Sequence, residues 1–233
     1  MKILSLSLLL LAAAAGNRKP VPRTAVLAET SSEAAGASVS SRRTYAVRGD
    51  GSETLLNQSI HPLTGQILLE SRETIFADRT IVKSSPAIKS KYTRQSDPVN
   101  FQAYVLDARR DAAARCLSNV GGEVDGGDEM VGGHKAVKIV LKNPNQPEID
   151  MWYAPAAGCQ LVQQVVKFQR PGDPGGPMVS GVSKLFLESL RLGEPDQSFF
   201  TIPPEYEEVS QAEYDRRILQ AAGVSSDKNR AHR

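Results

Sequence analysis

Thr44-Tyr45-Ala46-Val47-Arg48, then Gly49-Asp50-Gly51, then the run from Glu53 to Ile60: two β-prone stretches flank a short cluster of turn residues. That order predicts a hairpin. The same grammar continues outward. His61-Pro62-Leu63-Thr64-Gly65 makes a second turn, and Gln66 to Phe76 is a long run in which Ile67, Leu69 and Ile75 interleave with charges. Arg79 to Lys83 and Lys89 to Thr93 read as further short strands. Turns of two to five residues join antiparallel neighbours and cannot carry a parallel crossover. The second half repeats this texture, with strand candidates at Val137–Leu141, Glu148 to Ala154, Cys159 to Gln169 and Val179 to Leu192. Asn143 to Pro147 and Ala154 to Gly158 turn the chain between them. Pro171 to Pro177 holds three Pro and three Gly in seven residues. Such a segment cannot continue a ladder and is expected to protrude as a loop or mobile hairpin tip.

Two stretches read as helix. Asp107 to Leu117 is rich in Ala, with Asp107 available as a cap and Gly121-Gly122 beyond its end; the competing reading is an extended lead into Cys116. Near the end, Ser210 and Glu213 form a Ser-x-x-Glu capping box. Tyr214, Ile218, Leu219 and Ala222 then recur at helical spacing, and Gly223 stops the run. This helix is expected to pack on the sheet. The fold class is therefore mainly β (α+β), an antiparallel sheet with one or two packed helices.

Composition bounds the function. The chain has 233 residues, 40% apolar and 23% charged, with a formal charge of +2. Of the first 15 residues, 12 are apolar, behind Lys2, and Ala12 to Ala15 offer small-x-small cleavage sites. This predicts a signal peptide over 1–15; the apolar run is too short for a comfortable membrane span, and no later segment supplies one. A near-neutral chain lacks the field that gathers nucleic acid, so that partner is not expected. Residues 16–42, poor in aromatics and without a steady apolar period, are expected to be a flexible linker, the alternative being a first strand near Thr24 to Leu27. Residues 43–223 form the predicted domain and 224–233 a disordered tail. The expected location is periplasmic or secreted.

Cys116 and Cys159 are the two cysteines, 43 residues apart. In an exported chain an even count predicts a disulfide. The motif search finds no catalytic constellation: there is no Gly-x-Ser-x-Gly elbow, phosphate-binding glycine loop or His-Glu-x-x-His. His61, His134 and His232 lack second ligands at metal spacing. Asp125-Gly126-Gly127-Asp128-Glu129 lacks the calcium-loop order and reads as a solvated turn. Glu148 and Asp150 share one strand face, which an amphipathic strand explains without catalysis. Asn57-Gln58-Ser59 is a glycosylation sequon. No enzyme activity, cofactor or metal is expected. Trp152, Tyr153, Phe168 and Phe186, in paired bulky runs that break strict alternation, are the candidate apolar ligand surface; the competing reading makes them core.

The order of three segments resembles a known superfamily. They are Glu129 to Lys138 as strand, tight turn and strand; Met151-Trp152-Tyr153-Ala154-Pro155 leading to Gly158-Cys159; and Phe199-Phe200-Thr201-Ile202-Pro203-Pro204-Glu205-Tyr206 with Glu208-Val209. Over roughly Arg43 to Val209 the chain resembles exported proteins of the periplasmic lipoprotein-carrier superfamily, the LolA/LolB-like half-barrels. The resemblance implies a curved antiparallel sheet around helices and an exported carrier for lipid or another apolar ligand. A second expectation is a cell-envelope protein-interaction module, working through an edge strand or the Pro171 to Pro177 loop.

Overall fold

Two meanders grow outward from the middle of one open, curved sheet. In the computed structural model, which describes residues 20–31, 38–95, 116, 123–141, 147, 149–171 and 178–223, the first meander contains β1 (Arg23–Ser31), β2 (Ser38–Val47), β3 (Glu53–Ile60), β4 (Ile67–Ile75), β5 (Thr80–Ser85) and β6 (Ser90–Gln95). The second contains β7 (Glu123–Val131), β8 (His134–Leu141), β9 (Ile149–Ala154), β10 (Gln160–Pro171) and β11 (Met178–Leu192). With a last short strand, β12 (Glu207–Glu208), the order across the sheet is β12-β6-β5-β4-β3-β2-β1-β11-β10-β9-β8-β7. The start of one meander and the end of the other are thus antiparallel neighbours at the centre, from Arg23 opposite Leu192 to Ser31 opposite Ser183.

The expected hairpins form where the turn chemistry placed them. Gly51 and Gly65 take the left-handed conformation that closes the β2–β3 and β3–β4 turns (φ 91° and 70°). Two expectations are corrected, the linker and the acidic turn. Part of the segment read as a linker, 16–42, is strand: β1 and the start of β2 lie in it. Its Ala25, Leu27 and Ala28 are fully buried because a central strand packs on both faces, where small side chains fit. The Asp125–Glu129 cluster lies inside β7 rather than in a turn, and the pairing with β8 shifts register between Val124 and Asp128. The sheet is antiparallel as expected, except that the two-residue β12 runs parallel to β6. The chain reaches that position through residues 193–206, long enough to escape the short-turn rule. Asn57 of the sequon sits half-buried within β3, between Arg43 and Ser71. The expected helix over 107–117 lies outside the described residues except for Cys116, which is helical and fully buried. Residues 1–15, 172–177 and 224–233 also lie outside them.

The two faces are packed differently. One carries a cluster that spans both meanders: Ala25, Leu27, Tyr45, Val137, Ile139, Met151, Tyr153, Leu161 and Leu185, with Cys116 among them. The disulfide joins Cys116 to Cys159, with Cα atoms 5.3 Å apart, so Cys116 is tied against this face. The other face holds Ala136, Trp152, Ala154, Ala157 and Val162.

The C-terminal helix, α1 (Gln211–Ala221), caps as expected: Glu213 N–H donates to Ser210 Oγ at 3.3 Å. Its covered face differs from the predicted one. Tyr214 is buried against Tyr92 of β6 (ring centroids 5.1 Å apart), whereas Leu219 remains 49% exposed. Arg217 turns inward, donating to Ser90 Oγ at 2.8 Å and pairing with Glu207 at 2.6 Å. The helix thereby pins β12 onto the edge strand β6.

Candidate functional site

Strand alternation decides what the four aromatic candidates can do together. Trp152 and Tyr153 are successive residues of β9 and so point to opposite faces. Trp152 packs on Ala136, Ala154 and Val162, and the Lys138 ammonium sits 5.5 Å from its ring centroid. Tyr153 packs in the opposite cluster, its hydroxyl donating to Met151 Sδ at 3.3 Å. Burial drives the Tyr153 phenol well above its ordinary value, with Tyr45 acting in the same sense. Phe186 lies in a cross-strand row with Gln163 and Trp152. Phe168 lies opposite Gly181, two places from the Val166–Ser183 pair and four from Gln164–Leu185, which puts it on the Tyr153 and Leu185 side. Gly181 is required there, since a Cβ would run into the Phe168 ring. The candidates are thus divided two and two between the faces and do not form one surface. Trp152 and Tyr153 are 9% and 7% exposed, so both are buried in their clusters.

Asp150 adds a charged group beneath Trp152. Its Oδ2 lies 3.6 Å from Lys138 Nζ, while Oδ1 is buried without a hydrogen-bond partner. Its expected neighbour on that face, Glu148, lies outside the described residues. Among the described residues no three His, Cys, Asp or Glu side chains converge on a metal position, and no helix is long and apolar enough to cross a membrane.

At the ends of the apolar cluster, polar groups anchor β1 to its neighbours. Toward one end Glu29 accepts from Ser41 Oγ (2.8 Å), Ser183 Oγ (2.8 Å) and Arg43 (3.1 Å), linking β1, β2 and β11. Burial works against its ionised form, but these donors together hold its carboxyl below the ordinary value. Toward the other end Arg23 donates through Nε to Gln160 Oε1 of β10 at 2.9 Å and through Nη1 to the Val21 carbonyl at 2.9 Å. Glu53 of β3 lies in the same cross-strand row, beyond Val47. Its Oε2 is buried with no partner, and burial pushes its carboxyl up to about 7, against the pull of Arg23. A carboxyl raised in the fold favours stability at low pH. That contribution is full below 4.5, the ordinary value, and is lost as pH climbs through about 7. The sequence reading missed this trio. Arg23 fell in the supposed linker, and an acid opening a strand carries no mark of burial.

No known family profile matches the sequence, and no curated protein matches it. The fold is similar to several solved structures. An uncharacterised conserved protein from Thermus thermophilus aligns with a TM-score of 0.41 and 8% identity, over 81% of this chain and 90% of that one. A chain of the Pseudomonas aeruginosa MucA/MucB complex aligns at 0.40 and 14% identity, over 81% of this chain and 59% of that one. A LolA superfamily protein from Nitrosomonas europaea aligns at 0.30 and 10% identity, over 78% and 90%. These are likenesses of fold, at identities too low to carry a residue's role.

Proposed function

We propose that this is an exported, non-enzymatic binding or carrier-like protein that holds an apolar ligand, such as a lipid acyl chain, against the face bearing Tyr45, Met151, Tyr153 and Leu185. One observation carries the reading. A continuous apolar face spans both meanders of an open, curved sheet, and the sheet cannot cover that face itself. Cys116 is tied to that face by the disulfide, an arrangement that suits an oxidising compartment. An apolar face of this extent is a place to keep a long hydrocarbon chain from water. The test is native mass spectrometry and lipid extraction of protein purified from its own compartment, followed by titration with a fluorescent fatty acid. Co-purified lipid and saturable uptake are expected. Absence of both counts against a carrier.

The second reading, an envelope interaction module, draws on the two sheet edges. Edge strand β6 is occupied by β12 and α1, whereas β7 pairs only with β8 among the described residues. An unpaired edge is a template for an added strand. Capture of a single envelope protein, lost when Glu129→Pro blocks that edge, would favour it over the carrier.

A further inference from the structure

Arg23 shares a cross-strand row with Glu53 of β3 and donates to Gln160 of β10, in the other half of the sheet. It is a strand residue of β1, 8% exposed, and its Nε–H is given to Gln160 Oε1 on β10, across the intervening β11. This side-chain bond clips the two meanders together beside the disulfide, because Gln160 follows Cys159 directly. On the other side lies Glu53, also 8% exposed, whose Oε2 has no hydrogen-bond partner. An ionised carboxylate left buried without a donor is costly, while the protonated acid carries no charge.

Among the described residues, the surroundings of Glu53 offer it no competing cation. On β2 its cross-strand neighbour is Val47, and on β4 it is Ile75. Arg48, at the end of β2, is drawn toward Asp50 and Glu194, each 4.0 Å away, and lies over the Phe200 ring at 5.2 Å. Glu73 on β4 is paired with Lys83 of β5 at 2.7 Å. Further along the row, Ile81 of β5 faces Ile75, and the exposed Arg94 of β6 lies beyond it. Arg23 is the cation that acts on Glu53 electrostatically.

We infer that Arg23 is a two-position switch. It is bonded to Gln160 while Glu53 carries a proton and is drawn to Glu53 when that proton leaves for solvent, so the clip between the meanders is under proton control. Loss of the clip leaves Gln160 without its donor and loosens the start of β10, where Leu161 enters the apolar cluster. The switch does not depend on what the apolar face binds.

The test is nuclear magnetic resonance of the full chain with labelled arginine and glutamate. The Arg23 Nε–H signal is assigned by its disappearance in Arg23→Lys. In the wild type this signal is expected to be protected at about pH 5.5. By about pH 8.5 its exchange should be about tenfold faster than the base-catalysed rise alone, with a midpoint that follows the Glu53 carboxyl carbon. In Glu53→Gln protection should persist over the whole range. A protected signal at both pH values in the wild type, the same loss in Glu53→Gln, or a Glu53 midpoint at its ordinary value would each overturn the switch. If Glu53→Gln does not fold, Gln160→Leu decides. The Glu53 midpoint should remain and the protected Nε–H signal should be missing throughout; a protected signal there overturns the proposal.

Discussion

The two meanders solve burial with different chemistry. Strands β2 to β6 bury hydroxyls among their apolar side chains: beside Tyr45, Ile60, Ile81, Val82 and Tyr92 lie the buried Thr44, Thr54, Thr74, Ser84, Ser85 and Ser90, and Thr54 and Thr74 bond to each other at 3.1 Å. Strands β8 to β10 bury hydrocarbon and aromatic groups, among them Ile139, Met151, Trp152 and Val162. The hydroxyl-bearing half is held from outside. Arg72 donates to the carbonyls of Ser198 and Thr201 at 3.1 and 3.0 Å, and Arg48 lies over Phe200, so residues 193–206 strap across it. The hydrocarbon half is held by the disulfide and its own packing. A sheet half closed by directed hydrogen bonds resists remodelling, whereas one closed by non-directional apolar contact can exchange a covering side chain for a ligand's tail. On this contrast, the second half is the more yielding side of the proposed binding face.

Breaking the covalent tie should have the largest effect. For a loop of 43 residues, chain-entropy reasoning assigns the bridge about 4 kcal/mol. The double variant Cys116→Ser with Cys159→Ser should therefore lose most of its stability in chemical denaturation, and reducing agent should reproduce the loss in the wild type. An unchanged denaturation midpoint would mean that the apolar half closes without the tether. Next comes the interior of that half. Ile139→Ala removes a fully buried side chain and should cost about 3 kcal/mol by calorimetry. A cost below about 1 kcal/mol would show that the face is loosely filled in the wild type. The smallest effect sharpens the contrast from the other side. Thr54→Val leaves Thr74 without its partner and should cost about 1 kcal/mol, most of which the double variant with Thr74→Val should restore. Failure of that restoration would mean the hydroxyl row serves more than its own pairing.

The sequence made the meanders legible because their turns carry Gly, Pro, Asn and Asp at the points where the chain must reverse. It also placed the Ser210 cap and the cysteine pair. It hid β1, whose Arg-Thr-Ala-Val-Leu-Ala-Glu run has charged ends and alanines where strand propensity asks for branched residues. Small residues suit that place because β2 and β11 crowd it from both sides. The division of Trp152 from Tyr153 followed from alternation alone. Adjacent bulky residues put apolar side chains on both faces of the sheet, and the strand register shows which candidates share a face. The inward turn of Arg217 in place of Leu219 had no local signal, because it depends on Glu207 and Ser90, brought together by the parallel strand β12.

The central pairing has a consequence for how the molecule is made. Glu29 and Ser183 share a hydrogen bond across 154 residues of sequence. A ribosome delivers β1 long before β11, so the strand at the heart of the sheet waits with one flank bare until nearly all of the polypeptide has emerged. Non-local closure of this kind is slow and exposes sticky intermediates. A chain that cannot finish early stays threadable, which is the state in which a polypeptide crosses a narrow pore, and its final zipping belongs to whichever side it reaches.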